Sequence, residues 1–122
     1  MATALLLVDH GSRLSEANDM LLDVAQLVSN QAPHLIVEIA HMELASPSIE
    51  DGVAACVSRG ASHLVVFPYM LAPGRHATRD IPQLTQDIMA NYPTVTYRVT
   101  EPLGVHPLLA TIILDGVGKL DT

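Results

Sequence analysis

Four short apolar runs, each followed by a segment of helical period, constrain the fold of this chain more than any other feature. The runs are Thr3–Asp9, Leu35–His41, His63–Pro68 and Thr94–Val99. A near-continuous apolar run of this length is typical of a strand that a parallel sheet buries on both faces. Strict alternation of strands with helical segments is the pattern of βαβ units, so the sequence predicts an α/β fold.

The helical segments have recognisable starts and stops. Helices are predicted from Ser15 to the Ala32-Pro33 stop, from Pro47 to about Ser58 with Ser46 as N-cap, from about Arg79 to Asn91, and from Pro107 through Val117. With right-handed crossovers, four strands and four helices give one small doubly wound parallel sheet with helices on both faces, of flavodoxin-like topology.

Composition narrows the class of protein. A chain of 122 residues that is 49% hydrophobic is expected to form one domain over residues 1–122. A net charge of -7 lacks the basic footprint of a nucleic-acid-binding protein. The apolar run Ala4–Val8 is far shorter than the roughly 20 residues that span a bilayer. We therefore expect no nucleic-acid partner, no membrane association and a cytoplasmic location, with the single Cys56 reduced.

Polar residues follow the predicted strands at their carboxyl ends, where open α/β sheets bind ligands. The first strand leads into His10 and the second into Glu43, and His76 lies in the loop after the third. If strands one and three are neighbours, His10 and His76 come together. Two imidazoles and a carboxylate suit a borderline divalent ion such as cobalt, nickel, iron or zinc. The alternative is that these histidines are loop or capping residues, which is our expectation for His34, His63 and His106.

Half of the basic residues cluster near these two histidines. Arg13, Arg75 and Arg79 each lie within three positions of His10 or His76, among Lys+Arg 6 in total. Guanidinium groups recognise carboxylates and phosphates, so the cluster predicts an anionic substrate. The alternative is that three surface arginines happen to fall in loops.

Gly11-Ser12 follows the first strand without a nucleotide-binding motif around it. Neither GxGxxG nor GxxxxGK[ST] occurs in the chain, which disfavours dinucleotide and ATP binding. Ser12 also lacks the G-x-S-x-G elbow of a hydrolase nucleophile, so we expect its hydroxyl to bind backbone or substrate.

Four segments resemble the short CbiX/SirB group of class II tetrapyrrole chelatases. They are HGSR at 10–13, ELASPSI at 43–49, GRHATRDIP at 74–82 and PLGVHPL at 102–108, in family order and over almost the whole chain. Asp9 departs from the family pattern, because relatives usually have a small residue before the first histidine. Asp9 could raise the pKa of His10 or add a metal contact, which leaves the metal preference open.

The resemblance implies insertion of a divalent metal (cobalt, iron or nickel) into sirohydrochlorin, for cobalamin or siroheme biosynthesis, without ATP, nucleotide or Fe-S cluster. It implies that His10 and His76 are catalytic and metal-binding and that Glu43 is a catalytic acidic residue that relays charge. The substrate-binding residues would be Gly11, Ser12, Arg13, Arg75 and Arg79.

Two other functions stay open on the sequence. The same residues could make a non-catalytic metal or tetrapyrrole carrier, or a flavodoxin-like phosphoester hydrolase with Ser12 or His10 as nucleophile. Longer class II chelatases resemble two such units in one chain, with the ring held between lobes. Four strands offer one wall for a macrocycle, so we expect a symmetric homodimer.

Overall fold

Four parallel strands form one sheet in the order β2-β1-β3-β4. The computed structural model describes residues 2–118. Its strands are β1 (Ala2–Asp9), β2 (Ile36–His41), β3 (Ala61–Pro68) and β4 (Thr96–Val99). Its helices are α1 (Ser15–Gln31), α2 (Ile49–Ser58), α3 (Ile81–Met89) and α4 (Pro107–Val117), and a π-helical turn covers His76–Asp80. The predicted doubly wound α/β architecture is confirmed.

Strand β1 is central and pairs with β2 on one side and β3 on the other, as the sequence predicted. Asp9 lies opposite His41 in the first pairing and Val8 lies opposite Pro68 in the second. The chain winds in one direction from β1 to β2 and in the other from β3 to β4. The crevice beyond the carboxyl ends of β1 and β3 is therefore the topological switch point, where open α/β sheets bind ligands.

The two faces of the sheet have separate cores, because successive side chains of a strand point to opposite faces. Leu6 and Val8 point to the face covered by α2 and α3, where they pack with Val53 and Ile81. Leu7 points to the opposite face and packs against α1 through Leu21. Helices α1 to α3 thus cover the sheet from both sides and fix the strand ends that carry the polar residues.

Two helix starts differ from the sequence expectation. The second helix begins at Ile49 rather than Pro47, because Ser48 is the N-cap and forms a reciprocal capping box with Asp51. The Ser46 hydroxyl is therefore not the cap. The segment expected to be a loop up to Thr78 is already helical from His76, as a π-turn that leads directly into α3.

Helix α4 forms over the predicted residues but has no buried residue. It begins at the His106 cap, whose Nδ1 accepts from the Leu108 N–H at 3.1 Å. The preceding loop is held to the loop after β3, since the N–H groups of Leu103 and Gly104 donate to the carbonyls of Met70 and Leu71. The sequence predicted the helix correctly, but its apolar period does not specify which surface it covers.

Candidate active site

The structure brings His10 and His76 together at the switch point. His10 directly follows β1, and His76 is the first residue of the π-turn after β3. Their rings meet edge to face, with centroids 5.0 Å apart and planes at 81°. His10 is exposed and the His76 side chain is 42% exposed, so both rings are accessible to a ligand. The pairing predicted from strand order is therefore present.

A carboxylate orients the His76 ring from within the π-turn. His76 Nδ1 donates to Asp80 Oδ2 at 3.0 Å. An ionised carboxylate only accepts, so Nδ1 carries the proton and the Nε2 lone pair is left for a metal ion. Sequence reasoning missed Asp80. The sequence signal that could have found Asp80 is its position four residues after His76. That segment was expected to be partly loop, whereas it forms a π-turn, and π-turns are frequent at functional sites.

Gly11 lets the loop after β1 pack against the loop after β2. The backbone N–H of Glu43 donates to the His10 carbonyl at 3.1 Å. Gly11 has φ +88, and a Cβ on it would lie 1.8 Å from the Glu43 carbonyl oxygen. Only glycine fits this approach without displacing a backbone. Gly11 thus fixes Glu43 next to His10 along the backbone, while the Glu43 side chain is exposed.

Asp9 is engaged by a buried histidine. Its Oδ1 lies 2.6 Å from His41 Nδ1, and His41 is 2% exposed. The contact ties the carboxyl ends of β1 and β2 together beneath the His10 loop. Within residues 2–118, no group of three His, Cys, Asp or Glu side chains is arranged to hold a metal. Neither Asp9 nor Glu43 therefore completes a three-residue site with the two histidines.

Ser12 is held by a network with the start of α1. The Ser12 N–H donates to Asn18 Oδ1 at 2.9 Å, and Asn18 Nδ2 donates to the Ser12 carbonyl at 2.7 Å. The Ser12 hydroxyl accepts from the Leu14 N–H at 3.0 Å. Among the described residues, none of its hydrogen bonds is to an imidazole. The hydroxyl is therefore placed as a loop-forming group, without the general base that a nucleophilic serine needs.

The comparison with protein families covers almost the whole chain. The CbiX family profile matches residues 4–120. The chain belongs to the CbiX family. The match includes both histidines and Asp80, so the site at the switch point lies inside the family-defining region. The resemblance seen in the four sequence segments is confirmed.

The names of similar proteins agree with the family assignment. The chain is 44% identical over 116 residues to the chloroplastic sirohydrochlorin ferrochelatase of Arabidopsis thaliana, covering 95% of this chain and 52% of the relative. It is 42% identical over 89 residues to the sirohydrochlorin cobaltochelatase of Methanocaldococcus jannaschii, covering 73% of this chain and 62% of the relative. It resembles the structure of SirB from Bacillus subtilis with Fe3+, with a TM-score of 0.87 and 30% identity, covering 98% of this chain and 49% of that one. The chain spans about half the length of the curated relatives it matches.

Three arginines of this CbiX domain surround the histidine pair in sequence and stay on the surface. Arg13, Arg75 and Arg79 are all exposed. Within residues 2–118, none of them forms a salt bridge, whereas Arg59 pairs with Glu38 at 2.7 Å away from the site. The three guanidinium groups are therefore available to an external anion.

The remaining candidates have structural roles in the CbiX fold. Burial, with a smaller contribution from Glu38, raises the pKa of the Cys56 thiol to about 12, so the thiol stays neutral. His63 Nδ1 lies 2.7 Å from Thr96 Oγ1, at the end of β3 remote from the site, and His106 caps α4. No helix in the described part of the chain is both long enough and apolar enough to cross a membrane.

Proposed function

We propose that this chain inserts a divalent metal ion into sirohydrochlorin without ATP. The observation that carries the proposal is the edge-to-face pair of His10 and His76, accessible to solvent at the switch point of a CbiX-family domain. The names of the ferrochelatase and cobaltochelatase relatives support this substrate and reaction.

The metal ion is a substrate that must be held and then released. Two imidazole nitrogens bind it weakly enough to leave, and the remaining coordination positions stay open for the ring nitrogens. Asp80 keeps His76 in the tautomer whose Nε2 binds the ion. Asp80 is therefore a positioning residue for His76.

Insertion also releases protons from the ring. As the metal enters, two pyrrole N–H bonds break, their electron pairs bind the metal, and two protons leave. A neutral imidazole accepts a proton near neutral pH, so His10 and His76 take them up once the metal has left their nitrogens. Glu43, exposed and linked through the backbone to His10, passes the protons to water.

The surface around the histidines suits a flat ring with an anionic rim. Each of the four loops at the carboxyl edge of the sheet exposes a large apolar side chain; these are Leu14, Leu44, Leu71 and Val105. Such side chains bind the face of a macrocycle by apolar contact. Arg13, Arg75 and Arg79 grip its peripheral carboxylates, and the loop formed by Gly11 and Ser12 contacts the ring through backbone groups.

The same donor set accepts several metals. Imidazole suits cobalt, iron and nickel alike, and metal choice among such sites follows supply and geometry. The proposal therefore covers Co(II), Fe(II) and Ni(II), and places the reaction in cobalamin or siroheme formation.

We also propose that the active form is a homodimer in the cytoplasm. The chloroplastic ferrochelatase of Arabidopsis thaliana and SirB of Bacillus subtilis are about twice the length of this chain, and one four-stranded sheet offers one wall for the ring. A second copy supplies the facing wall. The buried, neutral thiol of Cys56 suits a reducing compartment.

The deciding experiment is metal insertion into sirohydrochlorin followed by absorbance, with Co(II), Fe(II) and Ni(II) in parallel. Many product molecules per chain are expected. Product that stops at one per chain would instead identify a carrier. Hydrolysis of a generic phosphoester, with no reaction on sirohydrochlorin, would identify a hydrolase and overturn the proposal.

A further inference from the structure

The two rings of the histidine pair are held in different ways. His76 Nδ1 donates to Asp80 Oδ2 at 3.0 Å, so a direct hydrogen bond orients that ring. His10 directly follows β1. Among the described residues, its ring forms no hydrogen bond and meets the His76 ring edge to face. The position of the His10 ring therefore follows from the backbone that leaves β1, and any contact that fixes the end of β1 also places His10.

A buried imidazole holds this strand end. Asp9, the last residue of β1, lies opposite His41, the last residue of β2, in the parallel register. Asp9 Oδ1 is 2.6 Å from His41 Nδ1, and the two side chains are 19% and 2% exposed. An ionised carboxylate only accepts, so Nδ1 donates whether or not the ring carries a charge. The contact therefore does not depend on the protonation of His41.

The side chain of His41 occupies a position that packing alone would fill with an aliphatic group. Successive side chains of a strand alternate between faces, so His41 shares a face with Val37 and Ile39, which belong to the apolar core against α1. Burying a polar group costs free energy unless it is hydrogen-bonded. Within residues 2–118, only Thr85 is a further buried polar side chain. A buried histidine at the ligand-binding edge of the sheet indicates that its contact serves the site.

The backbone around this contact connects it to the active-site loops. The Glu43 N–H donates to the His10 carbonyl at 3.1 Å, which continues the pairing of β1 and β2 beyond the strand ends. The His41 N–H donates to the Pro47 carbonyl at 2.8 Å and so fixes the end of β2 to the loop before α2. The side-chain bond from His41 to Asp9 then fixes the end of β1 to the end of β2. A shift of Asp9 would move the adjoining His10 with it.

We propose that His41 is a positioning residue for His10. Its hydrogen bond to Asp9 fixes the end of β1, so that the His10 ring meets the His76 ring. His41 thus does for one ring, through the backbone, what Asp80 does for the other through a direct hydrogen bond. The inference rests on the metal-binding role proposed above for the two rings. It makes Asp9 a link between His41 and His10 and not a ligand of the ion.

Binding of Co(II) in the absence of sirohydrochlorin, followed by visible absorbance, tests the inference without turnover. His41→Leu removes the donor and keeps a large apolar side chain. We expect the Co(II) Kd to rise about 10-fold, because losing a group that orients a metal ligand costs about 10–100-fold in affinity. His41→Asn should recover part of the affinity, because its amide can still donate to Asp9. The matched control is His63→Leu, since His63 Nδ1 lies 2.7 Å from Thr96 Oγ1 at the other end of the sheet. It should keep the wild-type Kd.

The contact can also be removed from its partly exposed side. Asp9→Ala takes away the acceptor, should raise the Co(II) Kd about as much as His41→Leu, and serves the test even if His41→Leu does not fold. Asp9→Asn removes the charge but keeps an oxygen that accepts from Nδ1, so we expect a clearly smaller rise. Equal rises in Asp9→Ala and Asp9→Asn would mean that Asp9 acts through its charge or binds the ion itself. That result overturns the inference.

A double-mutant cycle with His10 separates positioning from general damage. In a His10→Ala background, His41→Leu should raise the Co(II) Kd no further, because the ring that it positions is gone. General damage to the fold would raise the Kd by the same factor in both backgrounds. Equal factors, or an unchanged Kd in His41→Leu alone, contradict the positioning role.

Metal insertion measured on the same samples separates this inference from the proposed function. His41→Leu should raise the KM for Co(II) with little change in the KM for sirohydrochlorin. A chain that shows the coupling of His41 to His10 in Co(II) binding, but turns over no sirohydrochlorin, would refute the enzymatic function and leave the positioning role standing. Normal turnover without the coupling would refute the positioning role alone. A Co(II) Kd that His10→Ala leaves unchanged would refute both, because the His10 ring would then bind no ion.

Discussion

His10 directly follows β1 and His76 begins the π-turn after the neighbouring strand β3, and their rings meet edge to face with centroids 5.0 Å apart. The pair depends on two features of the fold. Direct pairing of β1 with β3 sets the separation of the two strand ends. The π-turn then carries His76 back over the crevice and orients it through Asp80. This geometry places the two rings close enough for the shared ion of the proposed function.

Loss of either ring should abolish metal insertion. His10→Ala and His76→Ala each remove a proposed metal ligand and proton acceptor, so we expect the insertion rate to fall by about 10²–10⁴-fold. Absorbance with sirohydrochlorin and Co(II) measures it. His63→Ala is the control, because that half-buried histidine lies near Thr96 at the other end of the sheet. A near wild-type rate in either active-site variant would rule out the two-histidine mechanism.

Removing the Asp80 carboxylate should act through His76. In Asp80→Ala the ring loses its hydrogen-bond acceptor at 3.0 Å, and we expect a loss of about 10–100-fold that appears mainly as a higher KM for the metal. Asp80→Asn should retain part of the activity, because its amide oxygen still accepts from Nδ1. Asp87→Asn, which alters an exposed partner of Gln83 on α3, is the matched control. Equal effects of Asp80→Ala and Asp87→Asn would show that Asp80 has no positioning role.

The three arginines should determine affinity for the ring. Arg13→Ala removes an exposed cation that forms no salt bridge within residues 2–118, so we expect a higher KM for sirohydrochlorin with little change in the KM for the metal. The defect should shrink as added salt screens the wild-type attraction. Arg98→Ala, an exposed cation on β4, serves as the control. A change confined to the metal KM would contradict the carboxylate-binding role.

The central features of the site could be predicted because they follow from topology. Alternating βαβ units place β1 beside β3, and residues that follow neighbouring parallel strands share one edge of the sheet. His10 and His76 therefore meet although they are far apart in sequence. The apolar runs determine where the strands lie, and the order of the strands determines that the segments carrying the two histidines share one edge of the sheet.

Other features depend on side-chain geometry that periodicity does not encode. Asp80 lies one turn from His76 only because the chain forms a π-turn there, and Asp9 contacts His41 only because the register of β1 and β2 places them opposite each other. The apolar period of α4 predicted a helix but not its partner surface. Each of these depends on a tertiary contact.

Substituting Gly11 by alanine tests the loop contact, and the same substitution at Gly60 is its control. Gly11 and Gly60 both have positive φ, +88 and +98, so alanine at either position is expected to cost about 1–2 kcal/mol in backbone strain. A Cβ at Gly11 would also lie 1.8 Å from the Glu43 carbonyl oxygen, whereas a Cβ at Gly60 would have no non-neighbouring atom of the described residues within 4 Å. Gly11→Ala should therefore lower the free energy of unfolding in urea more than Gly60→Ala, and it alone should slow metal insertion. Equal losses of stability would show that the two loops separate freely.

Cys56 should make stability fall at alkaline pH. Its pKa is raised from 9.0 to about 12 by burial, so between these values the unfolded chain has lost a proton that the folded chain retains. The stabilising contribution of the neutral thiol is complete below pH 9 and is lost as the pH rises towards 12. The free energy of unfolding should decline more steeply in the wild type than in Cys56→Ala, by up to about 1.4 kcal/mol per pH unit.

The effect of the Cys56 thiol is isolated by comparing how steeply the free energy of unfolding changes with pH in the wild type and in Cys56→Ala, rather than by comparing the free energies themselves. Cys56→Ala also leaves a small cavity in the α2 core, but the cost of a cavity does not change with pH. Contributions from groups that both proteins share cancel in the difference. Urea unfolding between pH 8 and about 11 measures the slopes. Parallel slopes would mean that the thiol ionises as readily in the folded chain as in the unfolded chain. The native chain would then react rapidly with thiol reagents at pH 9. We expect slow reaction instead, because Cys56 is buried.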